Sequence, residues 1–158
     1  MIGLKVALLG GFEVRLDSGA GVRLRNRKAQ ALLAYLGTRP GHGHPRDKLA
    51  ALLWGNTSDR HARSDLRQAL MALRRALGDI DPALLQADGQ MLGLNPDVVD
   101  VDVVAFERWV AEGTPEALEK AAELYRGDLL LGFNVASLFF QCDDGFQTFV
   151  IVLLMNFL

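Results

Sequence analysis

One amphipathic segment, residues 60–77, constrains the fold of this chain more than any other feature. Read at helical spacing, the segment divides into two faces of different chemistry. One face is an apolar stripe at i, i+3, i+4, i+7 and i+11, formed by Leu66, Ala69, Leu70, Leu73 and Leu77. The other face carries five arginines and is called the arginine face below; it comprises Arg60, Arg63, Ser64, Arg67, Gln68, Met71, Arg74 and Arg75. The segment therefore predicts a helix that packs on a core along one side only.

The charge on the arginine face is almost entirely of one sign. A solvated helix face usually mixes both signs, because oppositely charged residues four positions apart then pair. Asp65 is the only acid in the segment, and it lies to one side. Arg, Ser and Gln opposite an apolar anchor suit the major groove of DNA, so the pattern favours nucleic-acid contact. A solvated face without a partner is the alternative.

The charges are also split along the chain, although the formal net charge is only −2. Residues 21–80 hold 12 Lys and Arg against 4 Asp and Glu. Residues 81–158 hold 3 Lys and Arg against 13 Asp and Glu. Such asymmetry predicts a basic module that meets a polyanion, joined to an acidic module that does not.

Composition narrows the class of protein further. Half of the residues are hydrophobic, so the chain can bury a core. The single cysteine, Cys142, excludes an internal disulfide and a multi-cysteine zinc site. The N-terminus lacks the layout of a signal peptide, and we expect a cytoplasmic protein. No arrangement typical of a nucleophilic or acid–base site is present, and His42 and His44 have no third ligand nearby. We therefore predict no enzyme, no cofactor and no metal.

Short apolar runs and helix signals alternate through the first half of the chain. Residues 4–9, 12–16 and 22–24 predict a small antiparallel meander. Asn26 is suited to cap a helix that ends before Pro40-Gly41. His44-Pro45 predicts the opening of a second helix, with Pro45 at its first position. Ser58 or Asp59 is expected to cap the third helix, and Gly78 to end it.

A hairpin signal follows the third helix. Asp88-Gly89 lies between two apolar runs, which is a strong hairpin pattern. A sheet, three helices and a hairpin are the order of a winged helix-turn-helix, in which the third helix enters the groove and the hairpin lies beside it. We therefore predict an α+β fold with an N-terminal antiparallel sheet and a C-terminal β-hairpin wing over residues 1–96.

The chain beyond Asn95-Pro96 is predicted to be helical. Two helices are expected over residues 101–111 and 115–126, the first capped by Asp100 or Asp102 and the second by Thr114. Together they make an all-α helical hairpin within residues 97–137. Residues 138–158 form a divergent apolar tail that is too short to span a bilayer and has β and aggregation character. We expect a truncated or altered C-terminus and assign this tail no function.

The residues now described resemble a known family, the SARP-type bacterial transcriptional activators. That family joins an OmpR/PhoB-type winged-helix domain to a helical, TPR-like bacterial transcriptional activator domain. The first domain is matched by LLGGFEVRLDSG, VRLRNRKAQALLAYLGTRPG, HPRDKLAALLWG and SDRHARSDLRQALMALRRALG; the second is matched by VDVVAFERWV and ALEKAAELYRGDLLLGF. The resemblance covers about residues 3–134.

The resemblance implies a fold and a set of contacts. It implies a four-stranded N-terminal sheet, binding to direct repeats in promoters, and recruitment of RNA polymerase. Its residue roles carry over as follows: Arg63, Ser64, Arg67, Gln68 and Met71 on the groove side, Arg60, Arg74 and Arg75 nearer the phosphates, Asp88, Gly89 and Gln90 at the wing tip, and Asn56, Thr57, Ser58 and Asp59 in a loop that faces polymerase.

The sequence departs from the family pattern in two places. No receiver domain precedes the winged helix, so control by aspartate phosphorylation is not expected. Residues 138–158 replace the later helices of the activator domain, which bears on dimerisation and activation but not on DNA binding.

The predicted function is a sequence-specific DNA-binding transcriptional activator. Arg63, Arg67 and Gln68 are the predicted base readers, because Arg matches guanine and Gln matches adenine in the major groove. Double-stranded DNA and RNA polymerase are the expected partners, with tandem self-association on DNA, a nucleoid location and no membrane contact. The alternative is a protein-interaction module whose arginine face meets an acidic protein.

Overall fold

The computed structural model describes residues 3–127, which form a mixed α/β fold. The strands are β1 (Leu4–Ala7), β2 (Glu13–Leu16), β3 (His44–Pro45), β4 (Leu85–Asp88), β5 (Met91–Leu94) and β6 (Val99–Val101). The helices are α1 (Arg27–Gly37), α2 (Arg46–Trp54), α3 (Asp59–Leu77), α4 (Asp81–Leu84), α5 (Asp102–Glu112) and α6 (Pro115–Leu124). A 3₁₀ turn, Gly78–Ile80, joins α3 to α4. The apolar tail predicted over residues 138–158 lies outside the described residues.

Side-chain caps set where three of the helices begin. Asn26 accepts a hydrogen bond from the Ala29 amide at 3.1 Å and so caps α1. Ser58, not Asp59, caps α3 by accepting from the His61 amide at 3.3 Å. Thr114 caps α6 in the same way. Each cap satisfies an amide that has no partner inside its helix. Because the capping residue and that amide are close in sequence, the sequence alone could predict the caps.

The core is built around α1. Leu32, Leu33 and Leu36 of this helix are 0% exposed, and helix α3 contributes Leu66 and Leu73 to the same cluster. Strand β1 covers another side of the cluster. Helix α1 is buried on nearly every side. Helix α2, which follows it, and helix α3, which carries the arginine face, therefore pack on one apolar centre.

The first sheet corrects the predicted meander. Residues 22–24 form no strand; the Val22 amide donates to Val14 at 2.8 Å, and only a single bridge joins Gly21 to Arg15. The third strand is instead β6, which pairs in parallel with β1, giving the order β2-β1-β6. Val101 of β6 is 2% exposed while Val22 is only half-buried, so β6 buries more β-branched surface against β1. The predicted antiparallel pairing of the first two strands is confirmed, since β1 and β2 pair in that way. The predicted third strand at residues 22–24 and the implied four-stranded sheet were wrong for the described residues.

This sheet crosses the predicted boundary at residue 96. Val98, Val103 and Phe106 belong to the same buried cluster as α1 and α3. The chain on the two sides of Asn95-Pro96 thus shares one sheet and one core. The three-part division into residues 1–96, 97–137 and 138–158 stays a prediction.

The second sheet, in the order β3-β5-β4, contains a hairpin. Strands β4 and β5 pair from Leu85 with Leu94 to Asp88 with Met91, so the two-residue loop is Gly89-Gln90. Gly89 has a φ of +54°. Both turn types that favour two-residue hairpins, I′ and II′, have a positive φ at the first loop position, which glycine adopts without strain.

Strand β3 replaces part of the predicted second helix. His44 and Pro45 pair with Leu92 and Met91, and α2 begins at Arg46 with Pro45 outside it. The prediction that Pro45 holds the first helical position was wrong by one residue. His44 is buried, with its ring centroid 5.0 Å from that of Tyr35, and this packing holds residues 44–45 extended against β5.

Asp102 has a different role from the predicted helix cap. The residue before α5 is Val101, which makes no side-chain cap, so the prediction of Asp100 or Asp102 was wrong. The Asp102 carboxylate instead accepts from the amides of Leu8 at 2.8 Å and Leu9 at 3.0 Å. These amides lie beyond the end of β1, where a carboxylate supplies the acceptors that a strand partner would otherwise supply. We call this contact the Asp102 clasp.

The helical hairpin of α5 and α6 packs beside the first sheet. Gly113 ends α5 in a left-handed conformation, with φ +70°, and the chain turns back into α6. The Trp109 ring lies against two cations, with Arg108 at 4.8 Å and Lys120 at 4.4 Å from its centroid. Across residues 3–127, no helix has both the length and the apolar character that crossing a membrane requires.

Candidate nucleic-acid interface

Helix α3 separates its two faces as the periodicity predicts. The inward face is buried and consists of Ala62, Leu66, Ala69, Leu70, Leu73 and Leu77. All five arginines of the arginine face are exposed, as are Gln68 and Met71, whereas Ser64 is half-buried. Met71 is 53% exposed, which is high for an apolar side chain at the middle of a long helix. The guanidinium groups thus point away from the core along the whole length of α3.

Close packing of α2 against α3 positions the first half of the arginine face. Ala50 of α2 and Ala62 of α3 are 2% and 3% exposed, and both line a cleft of about 260 Å³ between the two helices. Small side chains at a helix crossing let the helices come close together. Short side chains at the rim of this cleft can therefore reach from one helix to the other.

An ion pair at that rim was not expected from the sequence. The Nε of Arg63 donates to Oδ1 of Asp47 at 2.9 Å, and both side chains are mostly exposed, at 57% and 66%. Asp47 lies in the first turn of α2. Exposed pairs of this kind contribute about 0–1 kcal/mol to folding, so the contact orients Arg63 more than it stabilises the fold. One of the three predicted base readers is therefore held by a neighbouring helix.

The four residues predicted to form the loop before α3, Asn56 to Asp59, are all exposed, but Asp59 is the first residue of α3 and not part of the loop. Thr57 folds it back onto α2, since its amide and its hydroxyl both donate to the carbonyl of Trp54, at 3.2 and 3.1 Å. The Ser58 hydroxyl lies 2.8 Å from Nδ1 of His61. The predicted polymerase-facing loop is thus a short, locally hydrogen-bonded turn at the surface.

Lys28 connects that turn to the start of α1. Its ammonium donates to the carbonyl of Leu53 and lies 5.7 Å from the centroid of the Trp54 ring. Partial burial lowers the pKa of Lys28 below its ordinary value of 10.5. The beginning of α1 and the end of α2 therefore meet beside the loop.

The hairpin tip and the arginine face are anchored at the same place. Asp88, Gly89 and Gln90 are all exposed at the tip, and the Gln90 carbonyl accepts from the amide of Arg46 at 2.8 Å. Arg46 is the neighbour of Asp47, which holds Arg63. The first turn of α2 thus joins the tip to the first half of the arginine face. Arg74 and Arg75 lie in the last turn of α3, at the other end of that face.

Comparisons with known proteins concern the fold of the chain and not the individual side chains of the arginine face. No protein-family model and no curated protein sequence matches the chain. A solved structure of Mycobacterium tuberculosis EmbR in complex with a low-affinity phosphopeptide does match, with a TM-score of 0.71 and 20% sequence identity. The match covers 99% of this chain and 43% of the EmbR chain. The protein has a SARP-like fold. It spans less than half the length of the EmbR chain that it matches.

Within residues 3–127, no three His, Cys, Asp or Glu side chains come together as a metal ion would need. The rings of His42 and His44, the residues considered from the sequence, pack edge to face with centroids 4.8 Å apart. Their contact is one of aromatic packing beside strand β5 of the hairpin.

Proposed function

We propose that this protein is a sequence-specific DNA-binding transcriptional regulator that places α3 in the major groove. The observation that carries the proposal is the exposure of all five arginines of α3 opposite a fully buried apolar stripe. The SARP-like fold, shared with a SARP-family regulator, supports it. The major groove admits one α-helix, and such a helix needs a rigid anchor on one side and hydrogen-bond donors on the other.

The proposal assigns different work to different parts of the arginine face. Arg63, Arg67 and Gln68 read base edges, since a recognition helix contacts bases mainly with its N-terminal half. Arg60, Arg74 and Arg75 contact phosphates. The hairpin tip at Gly89 lies along the DNA backbone, which its anchoring to the first turn of α2 supports.

The finer parts of the proposal concern how the protein acts once bound. We propose that it is an activator, that the loop from Asn56 to Asp59 faces RNA polymerase, and that copies bind in tandem on direct repeats. Tandem binding would raise the effective concentration of each copy at its neighbour's site. The role is regulatory rather than enzymatic, in the cytoplasm and at the nucleoid.

A protein partner is the competing explanation of the arginine face. Exposed arginines also suit an acidic protein surface, and a helical hairpin such as α5–α6 is a common interaction element. Duplex DNA and an acidic protein differ in one testable respect, because only DNA binding predicts a preferred base sequence.

The test is a selection from random duplex oligonucleotides with the full chain. The selected sequence is then compared with a scrambled duplex in gel-shift titrations at increasing salt. We expect one enriched motif, bound at least about 10³-fold more tightly than the scrambled duplex, with affinity that falls steeply with salt. Recovery of no motif, or equal affinity for every duplex, would contradict the proposal.

A further inference from the structure

The ion pair between Asp47 and Arg63 is the feature of the interface that the proposed function does not use. This salt bridge links α2 to the arginine face and joins side chains 16 residues apart in sequence. Such an exposed pair adds little to stability. An acidic side chain at the edge of a DNA-binding face also costs affinity, because it repels phosphates. Its presence there calls for a role other than folding.

Resting on the proposed function, we propose that Asp47 is a specificity-determining residue that orients Arg63 to read a guanine. The Nε of Arg63 is engaged by Asp47 Oδ1 at 2.9 Å, and this bond uses one of the five guanidinium donors. The outer edge of the fork, with its two Nη groups, stays available. That edge matches O6 and N7 of guanine in a bidentate pair.

The position of the pair fits this role. Arg63 lies in the first half of α3, the part of a recognition helix that reaches base edges. Asp47 is held in the first turn of α2, and Arg46, the first residue of that helix, also anchors the hairpin tip. Ala50 and Ala62 keep the two helices close enough for the short carboxylate to reach. Asp47 is thus held by a packed helix and can orient the longer side chain of Arg63.

The inference separates affinity from selectivity. Replacing the carboxylate by the neutral amide of Asn weakens the charge-assisted bond to Arg63. Arg63 then samples other rotamers more often, so the preference for guanine at one base pair falls. The same change removes a negative charge near the phosphates, so binding to unrelated duplexes becomes tighter. A merely structural role would weaken binding to all sequences together.

The experiment measures binding of wild type and Asp47→Asn to the selected duplex and to duplexes changed at each base pair in turn. At one guanine position we expect the preference to fall about 3- to 10-fold, part of the discrimination that a bidentate Arg supplies. Affinity for a scrambled duplex should rise or stay equal. The control is Asp79→Asn, which removes the same charge from an exposed residue just beyond α3 and should change affinity for all duplexes by one common factor.

A double variant shows whether Asp47 acts through Arg63. We expect Arg63→Ala and the pair Arg63→Ala with Asp47→Asn to have the same positional preferences, and Arg63→Lys to lose the guanine preference because Lys has no fork. The inference is overturned if Asp47→Asn still changes a preference in the Arg63→Ala background, or if it shifts all duplexes equally. If the wild type shows no sequence preference, the proposed function is overturned and the inference with it. If the wild type is selective and Asp47→Asn has the same base preferences, only the inference is overturned.

Discussion

At the scale of single residues, Gly10 shows how closely the helical hairpin approaches the first sheet. Gly10 has a φ of +88°, and a Cβ placed on it would lie 2.9 Å from the backbone carbonyl carbon of Arg126. Two separate reasons therefore require glycine at this position. The end of the helical hairpin rests directly on the turn that links β1 to β2.

We predict that Gly10→Ala destabilises the protein more than Gly19→Ala does. Gly19 has the same φ of +88°, but a Cβ placed on it would meet nothing within 4 Å, so its substitution introduces backbone strain only, about 1 kcal/mol. Gly10→Ala adds steric overlap and should cost at least about 1 kcal/mol more. Urea unfolding of the two variants measures the difference, and equal losses would show that the hairpin does not approach Gly10 in solution.

The Asp102 clasp gives a second prediction at this scale. Asp102→Asn presents an amide group, in place of a second acceptor, to the amides of Leu8 and Leu9. Leaving one part-buried N–H without an acceptor should cost about 1–3 kcal/mol in the free energy of unfolding. Chemical denaturation at neutral pH measures this loss, and a variant as stable as wild type would contradict the clasp.

The burial of Asp102 predicts a pH dependence that its hydrogen bonds to Leu8 and Leu9 only reduce. Burial raises the pKa of Asp102 above its ordinary value of 3.8, although the backbone hydrogen bonds and Arg126 act against that rise. A raised pKa contributes stability that is fully present below the ordinary pKa and is lost as the pH rises through the folded value. The stability difference between wild type and Asp102→Asn should therefore be larger at about pH 4 than at about pH 7. A difference that grows toward neutral pH would contradict this assignment.

At the scale of elements, local signals and long-range contacts differed in how far sequence could predict them. The caps at Asn26 and Ser58 and the stop at Gly78 act within a few residues, so the helical core was predictable. Two other contacts are long-range: β6 pairs with β1, and Asp102 accepts from Leu8, 94 residues away in sequence. No local sequence pattern predicts either contact. The valines around Val99 are typical of a strand, but the acidic residues beside them also suit a helix cap, and the prediction followed the cap.

The candidate site follows the same division. The outward direction of the arginine face came from periodicity within one helix, and the structure confirms that direction. The partner of Arg63 could not be predicted, because Asp47 lies on a different helix and their distance depends on how α2 crosses α3. Which arginines touch DNA stays a prediction.

Helix α3 as an element makes a prediction about its far end. Arg75 lies in the last turn, distant from the end that reads bases, and we assign it to a phosphate. Arg75→Ala should weaken binding to every duplex by a common factor and reduce the salt slope by about 1. The matched control is Arg108→Ala, an exposed arginine on α5 outside the arginine face. A change of preference at one base pair in Arg75→Ala would contradict the phosphate assignment.

At the scale of the whole molecule, the charge split predicts the response to salt. The basic region of residues 21–80 should supply roughly 4 to 7 phosphate contacts per copy, each releasing a condensed counterion. The logarithm of the binding constant should then fall against the logarithm of salt concentration with a slope of about −4 to −6. Fluorescence anisotropy titrations over a range of salt measure the slope, and a slope near zero would show that phosphates are not the partner.

The central claim is that α3 reads bases with guanidinium groups that its buried leucines hold in place. The most direct measurement compares Arg67→Ala with Arg108→Ala on the selected duplex and on its single-base variants. We predict that Arg67→Ala costs about 1–3 kcal/mol on the selected duplex and relaxes the preference at one base pair, while Arg108→Ala changes neither. Unchanged affinity and unchanged preferences in Arg67→Ala would contradict the claim.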